Sequence, residues 1–256
     1  MRVGFAGAGN MAAAMARGWA SEDGPEVMSF ADAGSGRAAA LAQEVAGDAV
    51  GSVGELAQRS DVIVLAVKRT ALDEVAKDLG GELPPLISLL AGAPLVRVQE
   101  AFPETRVLRA MPNLAVEVRR GVICYVPLGE GVDGELERTL TEVLAPLGTL
   151  YPVQDELIDA AMAIMSCSPA YVALVAQALV DAAERRGFDP ELAHSLVSAA
   201  VRGTAELLES RGAESIIRTV ASPGGATEAG LEALAQRDVE AAVQEAVEAS
   251  LERMHA

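Results

Sequence analysis

Short apolar or β-branched runs recur along the first part of the chain, at 3–6, 26–31, 61–67, 86–90, 105–111 and 122–126. Between them, apolar residues fall three and four apart over 11–20, 37–45, 54–58, 71–79 and 95–101. Runs of strand length alternating with helical periodicity predict parallel βαβ units and a doubly wound α/β sheet of the Rossmann type. A further helix at 134–147 and a short strand at 148–153 complete this half. After residue 153 the strand signal stops. Segments 155–186, 189–210, 213–220 and 227–254 all read as helix, punctuated by Gly187, Arg211-Gly212 and the turn Ser222-Pro223-Gly224-Gly225. The pattern predicts two domains, 1–154 α/β and 155–256 all helical.

The stretch 160–180 contains no charged residue and is long enough to span a bilayer. Ser166, Cys167, Ser168, Pro169 and Gln177 interrupt it, and Asp159 and Asp181 flank it where Lys or Arg anchors belong. Burial in protein is the better reading. A helix this apolar overfills a small bundle, so burial against a second copy of the chain is expected.

Charge adds a second constraint. Twenty Lys+Arg stand against 37 Asp+Glu, for a net charge of −17. Such a surface repels phosphate backbones and anionic lipid, so the expected partners are small molecules and other copies of the chain, with no nucleic acid and no membrane. Cys124 and Cys167 are the only cysteines, too few for a disulfide framework. Met1 leads directly into an apolar strand with no room for a signal peptide, and a cytoplasmic protein is expected. With His194 and His255 the only histidines, no metal site or histidine-based triad is expected.

The most informative motif follows the first strand. Ala6-Gly7-Ala8-Gly9-Asn10-Met11-Ala12 is a G-x-G-x-x-A pattern between a strand and a helix. The first glycine permits a tight turn, the second lets a pyrophosphate approach the backbone, and a small residue at 12 lets helix pack on strand. Asp32 follows the second strand at about the 20-residue offset where an acid meets the adenine ribose, which slightly favours NADH. Ser35 and Arg37 offer the opposite reading, a 2′-phosphate and NADPH, and Asp32 could simply open the turn before the next helix. Ala66-Val67-Lys68 and Ala91-Gly92 close two further strands whose carboxyl ends face the switch point. Lys68 and Lys77 are the only lysines, so no lysine of the helical half can protonate a substrate, as a β-hydroxyacid dehydrogenase would require.

Three more motifs sharpen the picture: Arg109-Ala110-Met111-Pro112-Asn113, Ser168-Pro169-Ala170-Tyr171 and Ser222-Pro223-Gly224-Gly225-Ala226-Thr227. With the glycine loop and Ala66 to Lys68, in this order, the whole chain resembles pyrroline-5-carboxylate reductases. The resemblance implies NADPH- or NADH-dependent reduction of a cyclic imino acid to proline, and a helical domain that dimerises. In the last motif the turn is expected to leave both glycine N–H groups uncovered for a substrate carboxylate. Ser222, Gly224, Gly225, Ala226 and Thr227 then bind substrate, with the Thr227 hydroxyl on the ring nitrogen. Tyr171 is a substrate contact or a rim-anchored core residue, and Asn113 is expected at the cofactor. The chain departs from the family at Met165-Ser166-Cys167-Ser168, at Leu114-Ala115 and at Arg218. Those changes keep two alternatives open, a reductase of another imine and a cofactor-binding regulator without turnover.

Overall fold

The computed structural model describes residues 1–21, 23–129 and 134–255. The strands are β1 Arg2–Ala6, β2 Val27–Ala31, β3 Asp48–Ala49, β4 Val62–Leu65, β5 Leu86–Ser88, β6 Val107–Pro112, β7 Gly121–Tyr125 and β8 Gly148–Pro152. The helices among them are α1 Asn10–Ser21, α2 Arg37–Glu44, α3 Val53–Arg59, α4 Leu72–Leu79, α5 Leu95–Ala101 and α6 Gly134–Leu144. After β8 come α7 Ile158–Ala161, α8 Ser168–Glu184, α9 Pro190–Ser210, α10 Ala213–Val220, α11 Ala226–Ala235 and α12 Val239–His255.

The eight strands form one sheet in the order β3-β2-β1-β4-β5-β6-β7-β8. Neighbours are parallel except β6 and β7, which run antiparallel. The chain reverses direction of travel across the sheet between β1 and β4, which places a switch point at their carboxyl ends. Fully buried strands explain the unbroken apolar runs of the sequence, since parallel sheets are covered on both faces. On one face Phe5 stacks on Phe30 with ring centroids 5.1 Å apart, and Trp19 of α1 leans on Phe5 while its indole N–H donates to the Val143 carbonyl. On the other face, Leu56, Leu72, Val75 and Val98 of α3, α4 and α5 cover Ile63, Leu65 and Leu86.

The chain divides into two compact units, one of residues 1–167 with 251–256 and one of 168–250. The division falls later than the 154/155 boundary expected from the sequence. The segment after β8 packs on the sheet: Ile158 is fully buried with Met111, Cys124 and Val126. A buried charge cluster fixes it further. Arg109 of β6, 1% exposed, donates to Asp155 Oδ1 at 2.6 Å and to Asp159 Oδ1 at 2.8 Å. Asp155 Oδ2 in turn accepts the Leu95 N–H that opens α5 (2.9 Å).

Three local expectations change. β3 is too short and too exposed to carry an apolar signal. The expected helix over 155–186 contains a π-turn at Met162–Ser166, and the one expected over 227–254 breaks between α11 and α12, where Asp238 is left-handed (φ 49°). In the second unit, Val180 and Ala193 are buried, whereas Val172, Leu174, Val175 and Leu179 of α8 are 50 to 72% exposed. The helical stretch Asp155–Glu184 is apolar and long enough to cross a membrane, with only 11% of its most apolar window buried within the chain.

Arg109→Met retains the volume but takes the cation away from two partly buried carboxylates. Breaking a fully buried pair costs about 3–5 kcal/mol, and the remaining water access of both acids lowers the expected loss to about 2–3 kcal/mol. Denaturant unfolding followed by circular dichroism measures it, and a loss no larger than that of an exposed arginine would remove the cluster from this role.

Candidate functional site

The loop between β1 and α1 is shaped by what it must avoid. Gly7 has φ +102°, and a Cβ there would lie 2.6 Å from the Ala66 carbonyl oxygen at the end of β4. Its N–H donates to the Ala31 carbonyl at the end of β2 (2.8 Å), while the Ala66 N–H donates to the Ala6 carbonyl (2.8 Å). Only glycine fits this junction of three strand ends. Gly9 is different: the single atom within reach of an added Cβ is the Ala66 oxygen at 4.0 Å. Protein packing therefore leaves space over Gly9, as close approach of a pyrophosphate requires. Ala8 and Ala12 are buried, Met11 is half-buried and Asn10 is exposed at the first turn of α1, whose N–H groups lack carbonyl partners within the helix.

A cleft of about 520 Å³ opens beside this loop, lined among others by Gly7, Asp32, Ser52, Gly54, Val67 and Glu74. Gly7, Asp32 and Val67 were expected there from the sequence. Ser52 and Gly54 were not; Ser52 caps α3, its hydroxyl accepting the Glu55 N–H at 3.1 Å. The cleft and the glycine junction together fit a dinucleotide.

Asp32 lines the cleft but is turned into its own loop. Oδ1 accepts the N–H groups of Gly34 (2.9 Å) and Ser35 (3.2 Å), and Oδ2 accepts the Ser35 hydroxyl (2.6 Å) and the Ala38 N–H (3.0 Å). The reason lies in α2, whose cap residue is Gly36 with no side chain to offer. Asp32 supplies the missing acceptor from four residues upstream. The Ser35 hydroxyl first, then the Ala38 N–H, hold its carboxyl below the ordinary 3.8. Arg37 is exposed and gives this loop only its backbone N–H.

Further along the sheet, Lys68 and Ala91 are exposed, and Gly92 is left-handed (φ +64°). Arg69 Nη1 donates to the Gly92 carbonyl (3.3 Å) and to the Met254 carbonyl near the end of α12 (3.4 Å). Asn113, following β6, is buried and bonded at both ends of its side-chain amide. Its Oδ1 accepts the Val122 N–H (3.1 Å) and its Nδ2 donates to the Met165 carbonyl in the π-turn (3.1 Å). The side chain is a bracket between β7 and that turn, and the backbone is engaged as well, its N–H donating to the Val122 carbonyl (3.1 Å) and its carbonyl accepting the Val116 N–H (3.2 Å), so Asn113 shapes this end of β6 without a free polar group of its own. Nothing in the sequence marked the π-turn, whose Ser166 hydroxyl donates to the Pro112 carbonyl (3.0 Å).

In the second unit, the Tyr171 hydroxyl donates to the Ala246 carbonyl (3.2 Å) and pairs with Ser250 Oγ (2.7 Å), tying α8 to α12. The Ser222–Thr227 motif forms a turn into α11 with Gly224 left-handed (φ +73°). The expectation that both glycine N–H groups are uncovered is corrected. The Gly225 N–H closes the turn on the Ser222 carbonyl (2.9 Å), and the Gly224 N–H donates to Glu228 Oε2 at 2.6 Å. What remains for an anion is the first turn of α11, the N–H groups of Ala226 and Thr227. The cap position is Gly225, with no side-chain cap bond, so Thr227 does not cap its helix. Thr227 is exposed.

Residues 155–256 match the family model for pyrroline-5-carboxylate reductase dimerisation, and residues 2–92 match that for NADP oxidoreductase, coenzyme F420-dependent. The pyrroline-5-carboxylate reductase of Synechocystis sp. is 36% identical over 204 residues, 78% of this chain and 76% of the relative. The chain belongs to the pyrroline-5-carboxylate reductase family. The Pseudomonas aeruginosa member is 33% identical over 98% of this chain and 95% of its own length. A crystal structure of the Plasmodium falciparum pyrroline carboxylate reductase with NADP bound superposes with a TM-score of 0.89 at 27% identity, covering 100% of this chain and 97% of that one. This family relationship matches the resemblance read from the motifs.

The Asp32 loop makes a pH prediction. A carboxyl whose folded pKa is depressed contributes stability that is complete above its unfolded value near 3.8 and lost as pH falls through the lower folded value. Unfolding curves of wild type and Asp32→Asn should therefore be furthest apart at neutral pH and converge below that value. A gap that stays constant into acid would show that the charge on Asp32 does not hold the loop.

Proposed function

We propose that the chain reduces 1-pyrroline-5-carboxylate to L-proline with NADPH, as a homo-oligomer in the cytoplasm. The observation that carries this reading is the match to curated pyrroline-5-carboxylate reductases along 98% of the chain, through both the glycine loop and the Ser222–Thr227 turn. When bound, the reduced nicotinamide supplies a hydride to the ring carbon of the C=N bond. The protein's share is binding and geometry. Gly7 to Met11 receive the pyrophosphate, and the backbone at Ala66–Lys68, Ala91–Gly92 and Asn113 borders the nicotinamide half.

NADPH is favoured over NADH because all four acceptor positions of Asp32 are taken by its own loop. A ribose hydroxyl would have to displace one of them. The Ser35 hydroxyl is itself committed to Asp32, so the group that suits a 2′-phosphate is the exposed guanidinium of Arg37. This reverses the slight preference for NADH expected from the spacing of Asp32.

At the other end, the first-turn N–H groups of Ala226 and Thr227 and the positive end of α11 hold the substrate carboxylate, with Ser222 beside them. The Thr227 hydroxyl makes a hydrogen bond with the ring nitrogen, which carries a proton in the product amine. A threonine hydroxyl is too weak an acid to supply that proton from its own ionisation at neutral pH. Its role is to fix the ring and relay a proton from water, or to hold an imine that arrives protonated. With its hydroxyl tied to α12, Tyr171 presents only its ring to the substrate. Covering the exposed apolar face of α8 with a second copy of the chain accounts for the apolar stretch without a membrane.

Loss of NADPH absorbance on adding pyrroline-5-carboxylate tests the activity, and cofactor binding with no oxidation would contradict it. Thr227→Ala should lower kcat/KM roughly 10- to 150-fold, the equivalent of one hydrogen bond to a charged group, with unchanged melting temperature and cofactor affinity. Thr227→Ser should retain most activity; equal activity of the two variants would move the residue out of the reaction. Light scattering should report at least a dimer, and a stable 26.4 kDa monomer at micromolar concentration would contradict the assembly.

A further inference from the structure

The hydrogen bond between Glu228 and Gly224 places a carboxylate of the chain itself at the turn that is to receive the carboxylate of the substrate. Glu228 lies on the first turn of α11 and its side chain folds back, so that Oε2 sits 2.6 Å from the Gly224 nitrogen. The Gly225 N–H is consumed by the turn. An incoming carboxylate must therefore either displace Glu228 from Gly224 or settle on the Ala226 and Thr227 N–H groups beside a fixed negative charge. Either route weakens binding of an anion. A ring that carries no carboxylate meets no such competition, and whatever the Glu228 charge does to the ring nitrogen is common to both imines. Glu228 is half-buried, and among the described residues no cation pairs with it.

We propose that Glu228 is a specificity-determining residue: its carboxylate competes with that of the substrate for the Gly224–Thr227 cradle and shifts preference toward cyclic imines that lack a carboxylate. This rests on the assignment of that turn as the substrate-carboxylate site. The wild-type protein then reduces 1-pyrroline relatively better, and 1-pyrroline-5-carboxylate relatively worse, than it would with a neutral residue at 228.

The experiment compares wild type, Glu228→Gln and Glu228→Ala, with NADPH and either 1-pyrroline-5-carboxylate or 1-pyrroline. Gln keeps the side-chain length and an acceptor for Gly224 but not the charge; Ala removes both. Both variants should lower KM for pyrroline-5-carboxylate about tenfold, while KM for 1-pyrroline and for NADPH stays within about twofold. An unchanged KM for pyrroline-5-carboxylate overturns the proposal. So does a KM that rises in Glu228→Ala for both imines, since Glu228 would then be a tether that shapes the turn. Calorimetric titration with L-proline in the presence of NADP reads the same contact without turnover. Tighter proline binding by Glu228→Gln supports the competition even if neither imine is reduced, in which case only the reductase reading fails. Proline binding no tighter than wild type overturns the competition whatever the activity.

Discussion

Three strand ends meet at Gly7. Its N–H is held by the end of β2, and the position a side chain would occupy is filled by the end of β4, 2.6 Å away. The backbone there must be left-handed and must carry no Cβ, so one residue sets how closely β1, β2 and β4 converge. Everything at the switch point follows from that convergence. α1 starts next to the open space over Gly9, and the Asp32 loop, the start of α3 and α4 line the cleft beside Gly7. The buried Phe5, Phe30 and Trp19 come from β1, β2 and α1, so the elements that carry the glycine loop also share one aromatic cluster in the core.

The helical unit obeys a different constraint. Within the chain, Val172, Leu174, Val175 and Leu179 of α8 are left exposed. In the proposed homo-oligomer a second copy covers this apolar face. Within the unit, Tyr171 and Ser250 join α8 to α12, and the turn into α11 is organised by its own backbone and Glu228. The chemistry needs little more than this, since orientation of a ring and its nitrogen is the protein's task and hydride transfer is the cofactor's.

Much of this was legible in the sequence because the relevant signals are local. The glycine loop follows a strand and opens a helix, and apolar runs of strand length mark a sheet buried on both faces. Other features depend on contacts between distant residues. Asp32 satisfied the spacing rule for a ribose partner, yet the glycine cap of α2 drew its carboxylate inward, an outcome set by the conformation of residues 33–38. Asn113 belonged to a recognisable motif, but its bond to Met165 exists only because the π-turn turns that carbonyl toward it. The break before α12 carries no glycine or proline, and left-handed Asp238 gives no signal that periodicity can read. Arg109 was visible as part of a motif; its two aspartates, more than forty residues away, were not marked as its partners.

In the proposed reaction the bound cofactor would supply a hydride to the imine carbon of pyrroline-5-carboxylate. Incubating the protein with pyrroline-5-carboxylate and NADPH deuterated at the transferable nicotinamide position, followed by mass spectrometry of the product, tests it most directly. Proline carrying a single deuterium on its δ-carbon is the expected product. Proline without deuterium, or no proline from folded protein that binds the cofactor, would contradict it.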